Sequence, residues 1–254
     1  MSQAEVRFLI ERLIKTIGGQ FSRQLGIELA SKESAQVFRW FLAAVLFGAR
    51  ISETIAINTY KEFETREVTT PQEIARTGWN GLVEILDAGG YARYDFKTAT
   101  KLLEIADKLK QEYNGDLNKL HAQAKDSQDL EGKLLAFPGV GPVTVNIFLR
   151  ELRGIWEKAN PPLGDLAILA ASNLGLIEKS TTPTQGLVAI ERIFQSSAGV
   201  DSQQPSENFQ FADFEGALIR LGKGWCRHKR CANCPMRDYC FYYQDWFDAD
   251  DQMR

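Results

Sequence analysis

The chain of 254 residues holds four cysteines, and all fall in one short segment: Cys226, Cys231, Cys234 and Cys240. Their spacing is C-x4-C-x2-C-x5-C. Four soft thiolate donors grouped this way suit one metal site, built for zinc or for an iron–sulfur cluster. Zinc sites commonly use two short chelating pairs, and only Cys231 and Cys234 form one here. The longer outer gaps leave room to wrap a bulkier cluster, so an iron–sulfur site is the first expectation, ahead of zinc. Two disulfides are the third reading, and they need an oxidising compartment. The opening MSQAEVRFLI has Glu5 and Arg7 among its apolar residues, followed by Glu11 and Arg12. That pattern is not a secretory signal, so a reducing, intracellular location is expected.

Charge is distributed unevenly around these thiols. The whole chain has a formal net charge of −3, which alone does not suggest a polyanionic partner. Between Arg220 and Cys240, however, the bases Arg220, Lys223, Arg227, Lys229, Arg230 and Arg237 face a single acid, Asp238. This segment carries +5 and leaves −8 for the remainder. A basic patch of this kind is either a phosphate-facing surface or a solvated loop.

A second chemical motif lies mid-chain, in LLAFPGVGPVT from Leu134 to Thr144. The pattern predicts a helix from about Asp129 to Phe137, a tight turn, and a second helix from Pro142 through Leu152. Gly139 and Gly141 can adopt positive φ and lack a Cβ, so a phosphate can approach the backbone there. Pro142 suits the first helical position, and the helix N-terminus behind it offers unpaired N–H groups and partial positive charge. An ordinary αα-hairpin also favours Gly and Pro in its turn. Further on, Asp165 stands before the helical run LAILAAS. By itself it reads as an N-cap.

These residues must be held by helices, because the chain reads as helical almost throughout. Ser34 to Phe47 is apolar enough to be a central buried helix, which places Trp40 and Phe41 in a core. Ser52 caps a shorter amphipathic helix to Phe63. Thr70-Pro71 starts another, and Gly89-Gly90 breaks the chain before Tyr91. Lys97 to Tyr113 has helical apolar spacing, ended by Asn114-Gly115. Ala159 to Gly164 (ANPPLG) is a loop, Gly199 to Asn208 is a polar loop, and Asp245 to Asp251 is an acidic tail. No run alternates as a strand, no repeat is evident, and no apolar run reaches membrane-spanning length. A soluble all-α protein is expected.

Taken together, several segments resemble the endonuclease III branch of the helix-hairpin-helix DNA glycosylases. They are Gly90-Tyr91 with Lys97, FPGVGPVTVN from Phe137, DLAILAASNLG from Asp165 with Asn173, and FEGALIRLGKGWCRHKRCANCPMRDYC from Phe214. The resemblance runs from about Gln36 to Cys240. It implies a two-lobed helical fold with a DNA-binding cleft. One lobe would span 31–154 with the hairpin at 134–150. The other would combine 1–30 with 155–254 and end in a [4Fe–4S] loop at 226–240, ligated by the four cysteines. Asp165 is the implied catalytic residue. Gly139, Val140, Gly141, Val143 and Thr144, with a monovalent cation at the hairpin, are the implied phosphate contacts, joined by Arg227, Lys229 and Arg230. Ala49, Arg50, Ile51, Glu53 and Tyr91 are candidates for the base pocket or wedge, and His228 is a further phosphate contact. His121 is read as a surface residue. The implied partner is double-stranded DNA with a lesion or mismatch, met by a monomer in the cytoplasm or nucleoid, with no membrane involved.

The chain departs from the family pattern at three places. Val143 occupies the position where bifunctional members carry a lysine nucleophile, and valine cannot form a Schiff base. Leu166 and Ala167 follow the aspartate where threonine and histidine are usual. The first cysteine gap is four residues instead of six. The expectation is therefore a monofunctional glycosylase. A non-catalytic damage sensor and a bifunctional lyase using another lysine, such as Lys97, are the alternatives.

Overall fold

A computed structural model of the protein describes residues 1–198 and 209–244. The polar loop at 199–208 and the acidic tail from 245 lie outside them. Every regular element among the described residues is a helix.

Local signals set most boundaries. Helix α1 (Gln3–Ile17) opens on a capping box in which Ser2 and Glu5 exchange hydrogen bonds. The short α2 (Phe21–Gln24) follows. Helix α3 (Ser34–Phe47) spans the expected residues, and its stretch from Phe38 to Leu46 is buried except at Arg39. Helix α4 (Glu53–Thr65) starts where the Ser52 hydroxyl accepts from the Ile55 amide at 3.2 Å. Helix α5 (Pro71–Ala88) starts where Thr70 caps the Glu73 amide, with Pro71 in the first turn. It kinks at Gly78, whose φ of 69° is left-handed, a break that apolar spacing does not reveal. Helix α6 (Asp95–Tyr113) ends at Asn114 in the left-handed region, followed by Gly115.

Helix α7 (Leu117–Gln123) leads to α8 (Ser127–Leu135) and α9 (Pro142–Arg150). The hairpin helices depart from their expected bounds: α8 is shifted two residues toward the N-terminus, and α9 ends two residues early. Asp126 caps the Asp129 amide at 2.8 Å, so α8 starts early. It ends before Phe137, whose amide turns back to the Leu134 carbonyl. After Arg150 the chain tightens, the Leu152 amide bonding to the Leu149 carbonyl at 3.0 Å. Helices α10 (Asp165–Asn173), α11 (Pro183–Ala198) and α12 (Phe211–Gly224) complete the set. Three single 3₁₀ turns then carry the cysteine loop, at Cys226–His228, Cys231–Asn233 and Arg237–Tyr239.

The chain divides into two compact units, Ser22–Pro161 and Met1–Phe21 with Pro162–Arg254. The first is built on aromatic packing around α3. Phe41 meets Phe148 edge-on at 5.0 Å and Phe137 at 5.8 Å, tying α3 to both sides of the hairpin. The Trp40 indole donates to the Phe148 carbonyl at 3.0 Å. Each fully buried large apolar side chain contributes about 1.5–3 kcal/mol, so this cluster is what holds the hairpin in shape. In the second unit α12 packs against α1 and α10. The contact is close enough to need glycine: a Cβ on Gly216 would lie 2.7 Å from the Gly19 carbonyl oxygen. The Arg220 side chain lies over the Phe21 ring and donates to the Gly19 carbonyl, closing the end of α1.

Candidate functional site

The hairpin turn runs from Ala136 to Gly141 between α8 and α9. Gly139 has a φ of 67°, which a residue with a Cβ rarely adopts. The Val140 amide closes the turn on the Phe137 carbonyl at 3.1 Å. The amides of Gly139, Gly141, Val143 and Thr144 make no turn hydrogen bond of their own among the described residues. They form a short row of unpaired donors at the positive end of α9, an arrangement suited to an anion. Val143 is 63% exposed at this point, whereas the side chains of Val140 and Thr144 are buried. Of the five hairpin residues expected to meet DNA, those two can therefore offer only backbone. Lys101, on α6, also reaches the turn, with its amine 3.5 Å from the Gly139 carbonyl oxygen.

The turn at 48–53 adjoins the hairpin helix. A Cβ on Gly48 would fall 2.1 Å from the Thr144 hydroxyl oxygen, so the two segments pack in direct contact. Ala49, Ile51 and Glu53 are half-buried, and Arg50 is exposed at the tip. Tyr91, a candidate for the base pocket or wedge, is closed off from solvent. It is 1% exposed, and its hydroxyl donates to the Leu46 carbonyl at 3.3 Å. Gly90 takes a φ of 87° and turns the chain so that Tyr91 buries its ring beside Tyr94. Burial pushes the phenol up to about 12. Tyr91 is thus a fixture for the C-terminal end of α3, not a platform for a base. His121, read as surface, is stacked on Trp156 at 4.7 Å, and burial lowers its pKa.

In the other unit, Asp165 is the first residue of α10 and is exposed. The N-cap is Gly164, with no side-chain cap bond, so the Asp165 carboxylate is not engaged in capping. It stands where the helix dipole favours an anion. Its position is set by α12: a Cβ on Gly222 would lie 2.1 Å from the Leu166 carbonyl oxygen. Asp165 also lines an open cavity of about 570 Å³ with Ser172, Lys179, Cys226, Lys229 and Tyr242.

The far end of the same helix meets the cysteine loop. Asn173 is buried, its side chain hydrogen-bonds Cys226, and its carbonyl accepts from the Cys240 thiol at 3.4 Å. Burial pushes the Cys226 thiol up to about 11, the Asn173 bond opposes this, and the other three cysteines add to the rise. Cys234 is raised by burial too, against a hydrogen bond from the Met236 backbone. Among the described residues no three His, Cys, Asp or Glu side chains converge to hold one metal ion. The four thiols nevertheless share one electrostatic neighbourhood. A four-iron cluster takes one cysteine per iron, so its ligands must surround a volume instead of meeting at a point. Four thiols are the donor type that such a group takes. Arg227, Lys229 and Arg230 are exposed on the loop, with the Arg227 guanidinium 3.1 Å from the His228 ring.

No protein-family model matches the sequence, and no curated protein matches it. Solved structures do match, over almost the whole chain. One is a non-covalent endonuclease III–DNA complex, with a TM-score of 0.57 at 15% identity, covering 98% of this chain and 99% of that one. Another is a trapped endonuclease III–DNA covalent intermediate, an estranged-adenine complex, with a TM-score of 0.54 at 15% identity and coverages of 97% and 99%. The fold is that of endonuclease III. Within this endonuclease III fold the sequence motifs fall into two groups. One unit gathers the hairpin with the 48–53 turn, and the other gathers Asp165, Asn173 and the four cysteines. Sequence reasoning did not pick out Lys101, Gly222 or Lys179. None carries a local signal, since each is defined by a partner distant in the chain.

Proposed function

We propose that this protein is a monofunctional DNA glycosylase of base excision repair, acting on a damaged or mismatched base in double-stranded DNA. The observation that carries the reading is Asp165: an exposed carboxylate, not used for capping, at the head of a helix in an endonuclease III fold. Breaking the bond between C1′ and the base develops oxocarbenium character on the sugar. A fixed negative charge beside C1′ stabilises that state, and the same carboxylate orients the attacking water as a base. The target base must leave the stack to be reached. Arg50, exposed at the tip of its turn, is the candidate to fill the gap. The hairpin amides take a backbone phosphate, and Arg227, Lys229 and Arg230 add charge.

Val143 completes the reading. It is exposed where a lyase would present an amine, and its side chain has none. Base loss therefore ends at an abasic site, with water as the nucleophile. Cys226, Cys231, Cys234 and Cys240 would hold a [4Fe–4S] cluster. Their thiolates would supply the metal–sulfur bonds that hold such a group. Asn173, hydrogen-bonded to two of these cysteines, couples the loop to the helix that begins at Asp165.

The test is release of free base by wild type and by Asp165→Asn. The variant should keep its fold and duplex affinity and lose about a hundredfold or more in rate, the usual cost of removing one preorganised electrostatic contact. A near-normal rate would place the catalytic carboxylate elsewhere.

A further inference from the structure

Lys101 belongs to no motif that the proposed function uses. It lies on α6, and its side chain reaches across to the hairpin turn. Its amine is 3.5 Å from the Gly139 carbonyl oxygen. Its methylenes lie against the glycine itself: a Cβ on Gly139 would be 2.5 Å from Cδ and 3.1 Å from Cγ of Lys101. The positive φ of Gly139 favours glycine there, and the lysine stem lies in the space a Cβ would take. From the geometry we infer that Lys101 is a built-in cation of the phosphate grip, with its amine helping to neutralise the DNA phosphate that the hairpin amides receive.

The argument is electrostatic. The turn offers unpaired amides to an anion, but it also carries the Gly139 carbonyl, whose oxygen repels one. An amine donating to that oxygen offsets the repulsion and adds positive charge beside the amides. The contact with Gly139 holds the lysine stem close to the turn, so less rotamer freedom is lost when DNA binds than for a solvated lysine. Burial lowers the pKa of this amine from the ordinary lysine value. The residue is only half-buried, so an approaching phosphate can reach the amine.

This inference rests on the DNA-binding reading above, and the experiment separates the two. Affinity for an undamaged duplex is measured across a salt series for wild type, Lys101→Met and Lys101→Arg, with thermal melting to check the fold. Methionine keeps the packing against Gly139 and removes the charge. The expected result is several-fold weaker binding by Lys101→Met, with the salt slope reduced by roughly one unit, and a near-normal slope for Lys101→Arg. A purely structural role would move the melting temperature and leave the slope alone. An unchanged slope in Lys101→Met overturns the assignment while wild-type binding still supports the DNA-binding reading. If Lys101→Met does not fold, Lys101→Gln is read by the same criterion. Wild type that binds no duplex at any salt overturns both.

Discussion

If the protein is the glycosylase proposed above, Val143 decides which half of the chemistry it performs. Its side chain is 63% exposed on the first turn of α9, so it is open to the DNA that the hairpin would bind. A lysine there would attack C1′ and carry the reaction on to strand cleavage, and valine offers no nucleophile. Borohydride added during turnover should trap no covalent protein–DNA adduct in wild type. Val143→Lys should yield a trappable adduct, because the exposed position admits a longer side chain without repacking. A trapped adduct in wild type would mean that another lysine serves, and peptide mapping would show which. The identity of residue 143 was legible in the sequence through its place in PGVGPV. Its exposure was not, because Thr144 next to it is buried against Gly48.

Helix α10 is the element that joins the two chemical features of its unit. It carries Asp165 at one end and Asn173, bonded to the cysteines, at the other. Its seat is Gly222 of α12, where a Cβ would meet the Leu166 carbonyl at 2.1 Å. Gly222→Ala should therefore push α10 away, costing about 1–3 kcal/mol as an overpacking change. Base release should fall as well, since Asp165 moves with its helix. Gly224→Ala is the control. It meets nothing within 4 Å, and should be neutral or stabilising by up to about 1 kcal/mol. Denaturant unfolding of both variants checks this, and equal stabilities would contradict the close contact.

Elements of this kind were partly readable in advance. The limits of α3 follow from one apolar run closed by Gly48, and the starts of α4 and α5 from their caps at Ser52 and Thr70. The left-handed Asn114 marked the end of α6. The kink at Gly78, the burial of Tyr91 and the reach of Lys101 were not readable. Each depends on a partner or a backbone turn that local spacing does not encode.

At the scale of the molecule, the cysteine loop and the fold make a joint claim. Cys226 and Cys234 resist ionisation, first because they are buried and then because the other thiols stand near them. A bound cluster would hold them as thiolates. Protein made with adequate iron should be yellow-brown and carry about four irons per chain, as this cluster type requires. Stoichiometric zinc and no visible absorbance would contradict the cluster. The endonuclease III fold positions the hairpin and Asp165 on elements whose sequence motifs were visible. The most direct test of the account is product analysis on a panel of lesion and mismatch duplexes, each split into portions with and without alkali. The account predicts free base from at least one duplex, with the strand intact until alkali is added. Release of no base from any duplex that the protein binds, or strand cleavage without alkali, would contradict it.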